Sequence, residues 1–169
     1  MRNERGFSLV ELVLVLVVTG ILAVSAISAY FGAEDNRVDG AAKRLASDLA
    51  YARQTALTEN GVFGIAFDTV NDTYTVHEFD PATAVETTIA NTLTQQAAVT
   101  DFDNIPGMEG VTIQAANFGG TQTVRFSSNG TPQDDNEADL AAQGTVVLNH
   151  SGVTRTITVQ ANTGEINIQ

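Results

Sequence analysis

The chain has 169 residues, 43% of them hydrophobic, with a net charge of −12, no cysteine and two histidines. So acidic a chain repels phosphate backbones and anionic lipid surfaces, which excludes a general nucleic-acid binder and a polybasic membrane-surface protein. Without cysteine there is no disulfide, zinc-thiolate or thiol chemistry, and His77 and His150 lie too far apart in sequence to suggest a histidine-rich metal site.

Apolar residues crowd into one stretch. Residues 7–31 hold 19 of them in 25 positions. The remaining 32–169 are about 38% apolar and carry 18 Asp/Glu against 6 Lys/Arg, so the whole −12 lies there. The size fits one domain plus an appendage.

The first element is the apolar run 7–31, long enough for a transmembrane helix at about 20 residues. Arg2 and Arg5 precede it and no further Lys or Arg comes until Arg37, so the positive-inside rule keeps the N-terminus cytoplasmic and sends the rest across. A cleaved secretory signal has a shorter apolar core and a small-residue site after it, whereas here Gly6 comes before the run. The run contains one charge, Glu11. A carboxylate in a membrane helix costs a few kcal/mol and calls for a partner, unless it stays at the headgroups. Cleavage after Gly6 would place a positive amine on Phe7, one helical turn from Glu11.

A short basic leader ending in Gly, then Phe, then Glu as the fifth residue of an apolar helix, resembles the signal of type IV pilins and type II secretion pseudopilins. Gly6, Phe7, Ser8, Leu9, Val10, Glu11 and Leu12 match that pattern, and Gly20-Ile21-Leu22-Ala23 matches the middle of the same helix. Ser28 stands where the family usually has a kinking proline. The resemblance implies cleavage by a prepilin peptidase between Gly6 and Phe7, and N-methylation of Phe7. It also implies pairing of Glu11 with the N-terminal amine of an adjacent subunit.

The second element is an amphipathic helix over 34–59. Val38, Ala42, Leu45, Leu49, Ala52 and Ala56 recur at spacings of three and four, widened by Ala41, Ala46 and Ala50. Asp39 with Lys43 and Arg44 with Asp48 are i,i+4 pairs on the polar side, and Asn60-Gly61 is a stop signal. So small-residue a stripe predicts close packing against a sheet of the same chain, with the flanks free for subunit contacts. Asp48, Leu49, Tyr51, Ala52, Arg53, Ala56 and Leu57 resemble the leucine–alanine–arginine stretch of the GspH/FimT family of minor pseudopilins, which the major pilins lack.

Beyond Gly61 the pattern turns to strands, predicted at 62–67, 73–79, 111–115, 122–127, 144–149, 153–160 and 164–169. Turn signals separate them at Asn71-Asp72, Ser128-Asn129-Gly130, Ser151-Gly152 and Asn162-Thr163-Gly164. Thr87-Thr88-Ile89 and Ala98-Val99 read as short strands within a less regular 80–110. Phe126 to Pro132 and Val159 to Ile166 resemble the phenylalanine–glycine turn and closing hairpin of the same family. Members that bind DNA carry basic residues after the last glycine; here Gly164 is followed by Glu165-Ile166-Asn167, which disfavours that role.

The sequence carries no nucleophile elbow, P-loop or paired-carboxylate signature. Asp134, Asp135, Asn136, Glu137 and Asp139 make an acidic loop that reads as solvated; its spacing is not that of a calcium-binding EF-hand. Asp101-Phe102-Asp103-Asn104 is a weaker acidic cluster, and His77 and His150 read as plain surface residues.

The sequence thus predicts an α+β, pilin-like fold: a long N-terminal helix packed on a C-terminal antiparallel sheet or sandwich. The expected parts are a leader 1–6, a transmembrane and filament-core helix 7–31, its amphipathic extension 32–60, and a β-rich periplasmic domain 61–169. The resemblance implies a minor pseudopilin of a type II secretion pseudopilus, anchored in the inner membrane and then built into a periplasmic filament. Its partners would be other pseudopilins, the prepilin peptidase and the inner-membrane assembly platform, with no cofactor, metal, enzymatic activity or nucleic acid. The alternatives are a minor type IV pilin, or a signal-anchored periplasmic binding protein or enzyme.

Overall fold

The computed structural model describes residues 8–89 and 99–169, without the side chains of 24–35. The chain divides into two compact units, Met1–Asp35 and Asn36–Gln169.

A single helix, α1 (Leu9–Glu59), opens the fold. Its first turn begins on the Ser8 carbonyl, which accepts from the Leu12 N–H at 3.1 Å. The helix passes without a break through position 28, where no proline interrupts the backbone ladder. It ends in a Schellman closure. Asn60 takes the left-handed conformation (φ 53°), and the Gly61 N–H reaches back to the Ala56 carbonyl at 3.3 Å. Asparagine, not the glycine after it, is therefore the turning residue. Asn60→Ala is expected to cost about 1 kcal/mol, because alanine lacks the polar side chain that makes this conformation tolerable. An unchanged thermal midpoint would contradict that.

Two antiparallel sheets follow. The first contains β1 (Val62–Asp68), β2 (Thr73–Asp80), β3 (Val85–Thr88), β4 (Val99–Asp101), β6 (Thr123–Phe126) and β7 (Pro132–Gln133), in the order β3-β2-β1-β6-β7 with β4 also on β2. The second contains β5 (Thr112–Asn117), β8 (Gly144–His150), β9 (Val153–Val159) and β10 (Ile166–Ile168), in the order β10-β9-β8-β5. The turns fall at the predicted residues, with positive φ at Asp72, Gly130, Ser151, Gly152 and Gly164. Asp72 also ties the two sheets together, its Oδ1 accepting the Ile113 N–H at 2.7 Å.

One core joins the extension of α1 to both sheets. Val38, Ala41, Ala42, Leu45, Leu49, Ala52 and Ala56 are fully buried with Phe63, Ile65, Tyr74, Val124 and Phe126 of the first sheet and Ile113, Val146, Leu148, Ile157 and Val159 of the second. The alanines let the sheets approach the helix closely, and each buried large aliphatic side chain contributes about 1.5–3 kcal/mol. Ala46 is only half-buried and Ala50 is exposed, so the stripe is narrower than the sequence predicted. At 100° per residue, position 50 has turned away from the seam that runs through 45, 49 and 52.

Other departures are small. The strand expected at 87–89 is β3, with Ile89 just past it donating its N–H to the Val76 carbonyl at 3.0 Å. Val99 begins β4, and Ala98 lies outside the described residues. The two-residue β7, the one-turn 3-10 helix Phe102–Asn104 and a bulge between Ile113 and Ala115 were not anticipated.

Candidate functional site: the apolar helix and the helix–sheet junction

The described apolar side chains at the start of α1 are exposed all around. Leu9, Val10, Leu12, Val13, Leu14, Val15, Leu16, Val17, Val18, Ile21 and Leu22 are each at least 47% accessible. A helix apolar on every face is covered in its working state by lipid or by other helices. Polar groups here follow that rule. The Thr19 hydroxyl donates to its own helix at the Val15 carbonyl, 2.7 Å away, so it needs no water. Glu11, in the first turn, is the one ionisable residue among 9–23. Gly6 and Phe7, the expected processing residues, lie outside the described residues. Among the described residues no helix is long and apolar enough to cross a membrane; the described side chains of the apolar run stop at Ala23.

The residues singled out in the extension meet two glycine turns. Arg53 points its Nε at the Gly130 carbonyl (3.4 Å). A Cβ on Gly164 would stand 2.8 Å from that Nε and 2.8 Å from the Gly130 carbonyl oxygen; one on Gly130 would stand 3.2 Å from Leu57 Cδ2. Both glycines also need positive φ, 81° and 63°. The arginine motif, the phenylalanine–glycine turn and the closing hairpin are therefore one junction, where a helix meets a turn from each sheet.

Earlier in α1, Asp48 accepts from the buried Tyr74 hydroxyl (2.6 Å) and from Arg44 Nε (3.1 Å), so the predicted Arg44–Asp48 pair is present. Burial, with the Asp48 charge beside it, pushes the Tyr74 phenol well above its usual value and keeps it a donor. Asp39 is taken up by Arg155 of β9 at 2.6 Å, not by a partner on its own helix.

The other face of the first sheet holds a second buried cluster, which sequence reasoning missed. His77, expected at the surface, is only 2% accessible. It lies opposite Gly64 on β1, and Gly64 lies opposite Arg125 on β6, so the three share one line across the sheet. Arg125 is also buried; its guanidinium carbon sits 3.9 Å from the centre of the Phe79 ring. One Nη bonds Glu86 of β3 (2.6 Å) and Asp135 (2.7 Å), and the other bonds the Asp135 carbonyl (2.5 Å). The 134–139 loop is exposed from Asp135 to Asp139, as the sequence predicted, and through Asp135 it also clasps Arg125. Asp134 Oδ1 accepts the N–H groups of Asn136 and Ala138, and Asp139 accepts from Gln133.

Burial pushes the His77 imidazole below its usual value; Glu86 opposes the shift and Arg125 adds to it. His150 keeps the expected strand-end position, its Nδ1 2.7 Å from the Gly110 carbonyl oxygen. In the second acidic stretch, Asp101 caps the 3-10 turn, and Asp103 accepts the Gly110 N–H at 2.7 Å. The available signals were Gly64, a glycine inside a strand, and an arginine alternating with core residues in Val124-Arg125-Phe126.

Comparison with known proteins connects the two parts. The model of the family described as type II transport protein GspH matches residues 41–164. The chain belongs to the GspH family. The prokaryotic N-terminal methylation motif matches residues 1–27, which include Gly6, Phe7 and Glu11. The type II secretion system protein H of Pseudomonas aeruginosa is 32% identical over 85 residues; the match covers 50% of this chain and 48% of that relative, about half its length. Among solved structures, the minor pseudopilin EpsH of the Vibrio cholerae type 2 secretion system superposes with a TM-score of 0.58 at 14% identity, covering 79% of this chain and 96% of that one. The type IV minor pilin FimU of Pseudomonas aeruginosa does so with a TM-score of 0.50 at 17% identity, covering 80% and 90%. At such identities the likeness shows the fold, which is pilin-like as the sequence predicted. The stretch matched by the GspH model spans both the Arg53 junction and the Arg125 cluster.

Proposed function

We propose that the chain is a minor pseudopilin, a structural subunit of a type II secretion pseudopilus. The observation that carries this is the pairing of a GspH domain with an N-terminal methylation motif on a helix whose apolar side chains are exposed all around. The precursor sits in the inner membrane through the 7–31 helix, with its N-terminus cytoplasmic and the 61–169 domain periplasmic. The prepilin peptidase cuts between Gly6 and Phe7 and methylates Phe7. The assembly platform then lifts the subunit out of the bilayer, and lipid around 7–31 gives way to the helices of other pseudopilins.

Glu11 directs that exchange. In lipid an unpaired carboxylate costs a few kcal/mol, and a neighbour's N-terminal amine offers a charge-assisted partner where water is absent. The subunit's role is mechanical and interactive, with the apolar helix as spine and the acidic domain as outer surface. The test is the mass of the mature N-terminus in cells with an active prepilin peptidase. The expected species begins at methylated Phe7. Protein that keeps Met1 there would overturn the proposal.

A further inference from the structure

We propose that His77, Glu86, Arg125 and Asp135 form a proton-operated latch, closed while His77 is neutral and released when it takes up a proton. The latch clasps two segments at the first sheet. One is its edge strand β3, which also pairs with β2 and all four of whose residues are exposed. The other is the 134–139 loop.

The geometry shows why one proton matters. Among the described residues Arg125 is the cation that reaches both segments, through Glu86 and Asp135. It reaches them by crossing β1 where Gly64 has no side chain. His77 shares that space. Its Nε2 is 3.4 Å from Glu86 Oε1, the same oxygen that Arg125 holds at 2.6 Å. Among the described residues neither imidazole nitrogen has a partner in good hydrogen-bond geometry, though the Thr75 backbone lies beside the ring, and Arg125 Nε has none either.

The charged groups facing the imidazole are Glu86 from β3, Arg125 from β6 and Asp135 from the loop; β1 offers only Gly64. Protonation would bury a charge on a ring only 2% accessible and give it two N–H groups to satisfy; that burial cost outweighs the pull of Glu86 and Asp135, and Arg125 adds to it. Glu86 Oε1, 3.4 Å from Nε2, is already engaged by Arg125. With the segments lifted, water supplies both partners. Proton uptake therefore favours the open form. The sign follows from the burial of the ring, which penalises its charged form only while the latch is closed. Closure is complete above the ordinary imidazole value of about 6.5 and is lost as the pH falls below it.

The test is amide hydrogen exchange on the full chain in detergent, followed over 85–88 and 135–139 and corrected for intrinsic rates. Between about pH 7 and about pH 5.5 the opening equilibrium of these segments should grow, toward a ceiling of about eightfold set by an ordinary imidazole in the open form, while His77→Gln should show no such growth. The proton NMR titration of the His77 ring in the native chain gives a second readout that needs no variant. It should fall below the ordinary histidine value. Protection that stays constant or rises on acidification, an equal change in His77→Gln, or a His77 ring titrating at or above about 6.5 would each overturn the latch.

Discussion

Gly64→Ala is expected to destabilise the folded domain by about 3 kcal/mol, at or beyond the upper end of ordinary overpacking costs. The added Cβ would lie 2.4 Å from the Val124 carbonyl oxygen and 3.0 Å from Arg125 Cα and Cγ. Side chains can rotate away from a new methyl group, but here two of the obstacles are backbone atoms. β1 and β6 would have to separate at the centre of the first sheet, and Arg125 would lose its path to Glu86 and Asp135. For a chain of this size such a loss lowers the thermal midpoint by roughly 6–12 °C. Gly40→Ala is the matched control of opposite sign. Gly40 lies in α1, where a Cβ would meet only Met108 Cε at an ordinary 3.6 Å. Alanine there should stabilise by about 0.5–1 kcal/mol through helix propensity. A Gly64→Ala midpoint within about 2 °C of the native value would mean the strands yield more easily than this geometry allows.

The second large effect concerns assembly. Glu11→Leu keeps the helix and makes it more apolar, so membrane insertion should be unimpaired or improved. Incorporation into filaments should nevertheless fall about tenfold or more, since a hydrogen bond to a charged group is worth about 1.5–3 kcal/mol. The measurement is the ratio of this subunit in sheared filaments to that in membranes, in cells that make the remaining subunits. Equal ratios for Glu11→Leu and the native chain would remove the carboxylate from the assembly mechanism. They would leave the signal-anchored binding protein as the better account.

How legible each part was in the sequence follows from how local its cause is. The seam of α1 could be read because a buried stripe repeats at three and four. Ala50 misled because alanine is small and apolar on either side of a helix. Most strands and their turns could be read, since asparagine, aspartate and glycine mark positive φ directly. His77 could not. In β2, Tyr74 and Val76 line the main core while His77 and Phe79 are buried on the opposite face, and alternation is informative only when one face is wet. What buries that second face is Arg125, far along the chain, reaching over a glycine. No local pattern records such a crossing. The Arg53 junction lay between these cases, with all three pieces visible but not their meeting point.

That meeting point has a mechanical consequence. In the proposed filament, a pull or push reaches the domain through the part of α1 packed on it, from Asn36 onward. Arg53 and Leu57 abut a turn that follows β6 in the first sheet and, through Gly164, a turn that follows β9 in the second. Load carried by the helix therefore enters both sheets together, near the end of α1. The load is shared between two sets of interstrand hydrogen bonds and does not peel one sheet from its edge. If the chain is the filament subunit proposed above, this wiring lets it move with its neighbours while its domain stays folded.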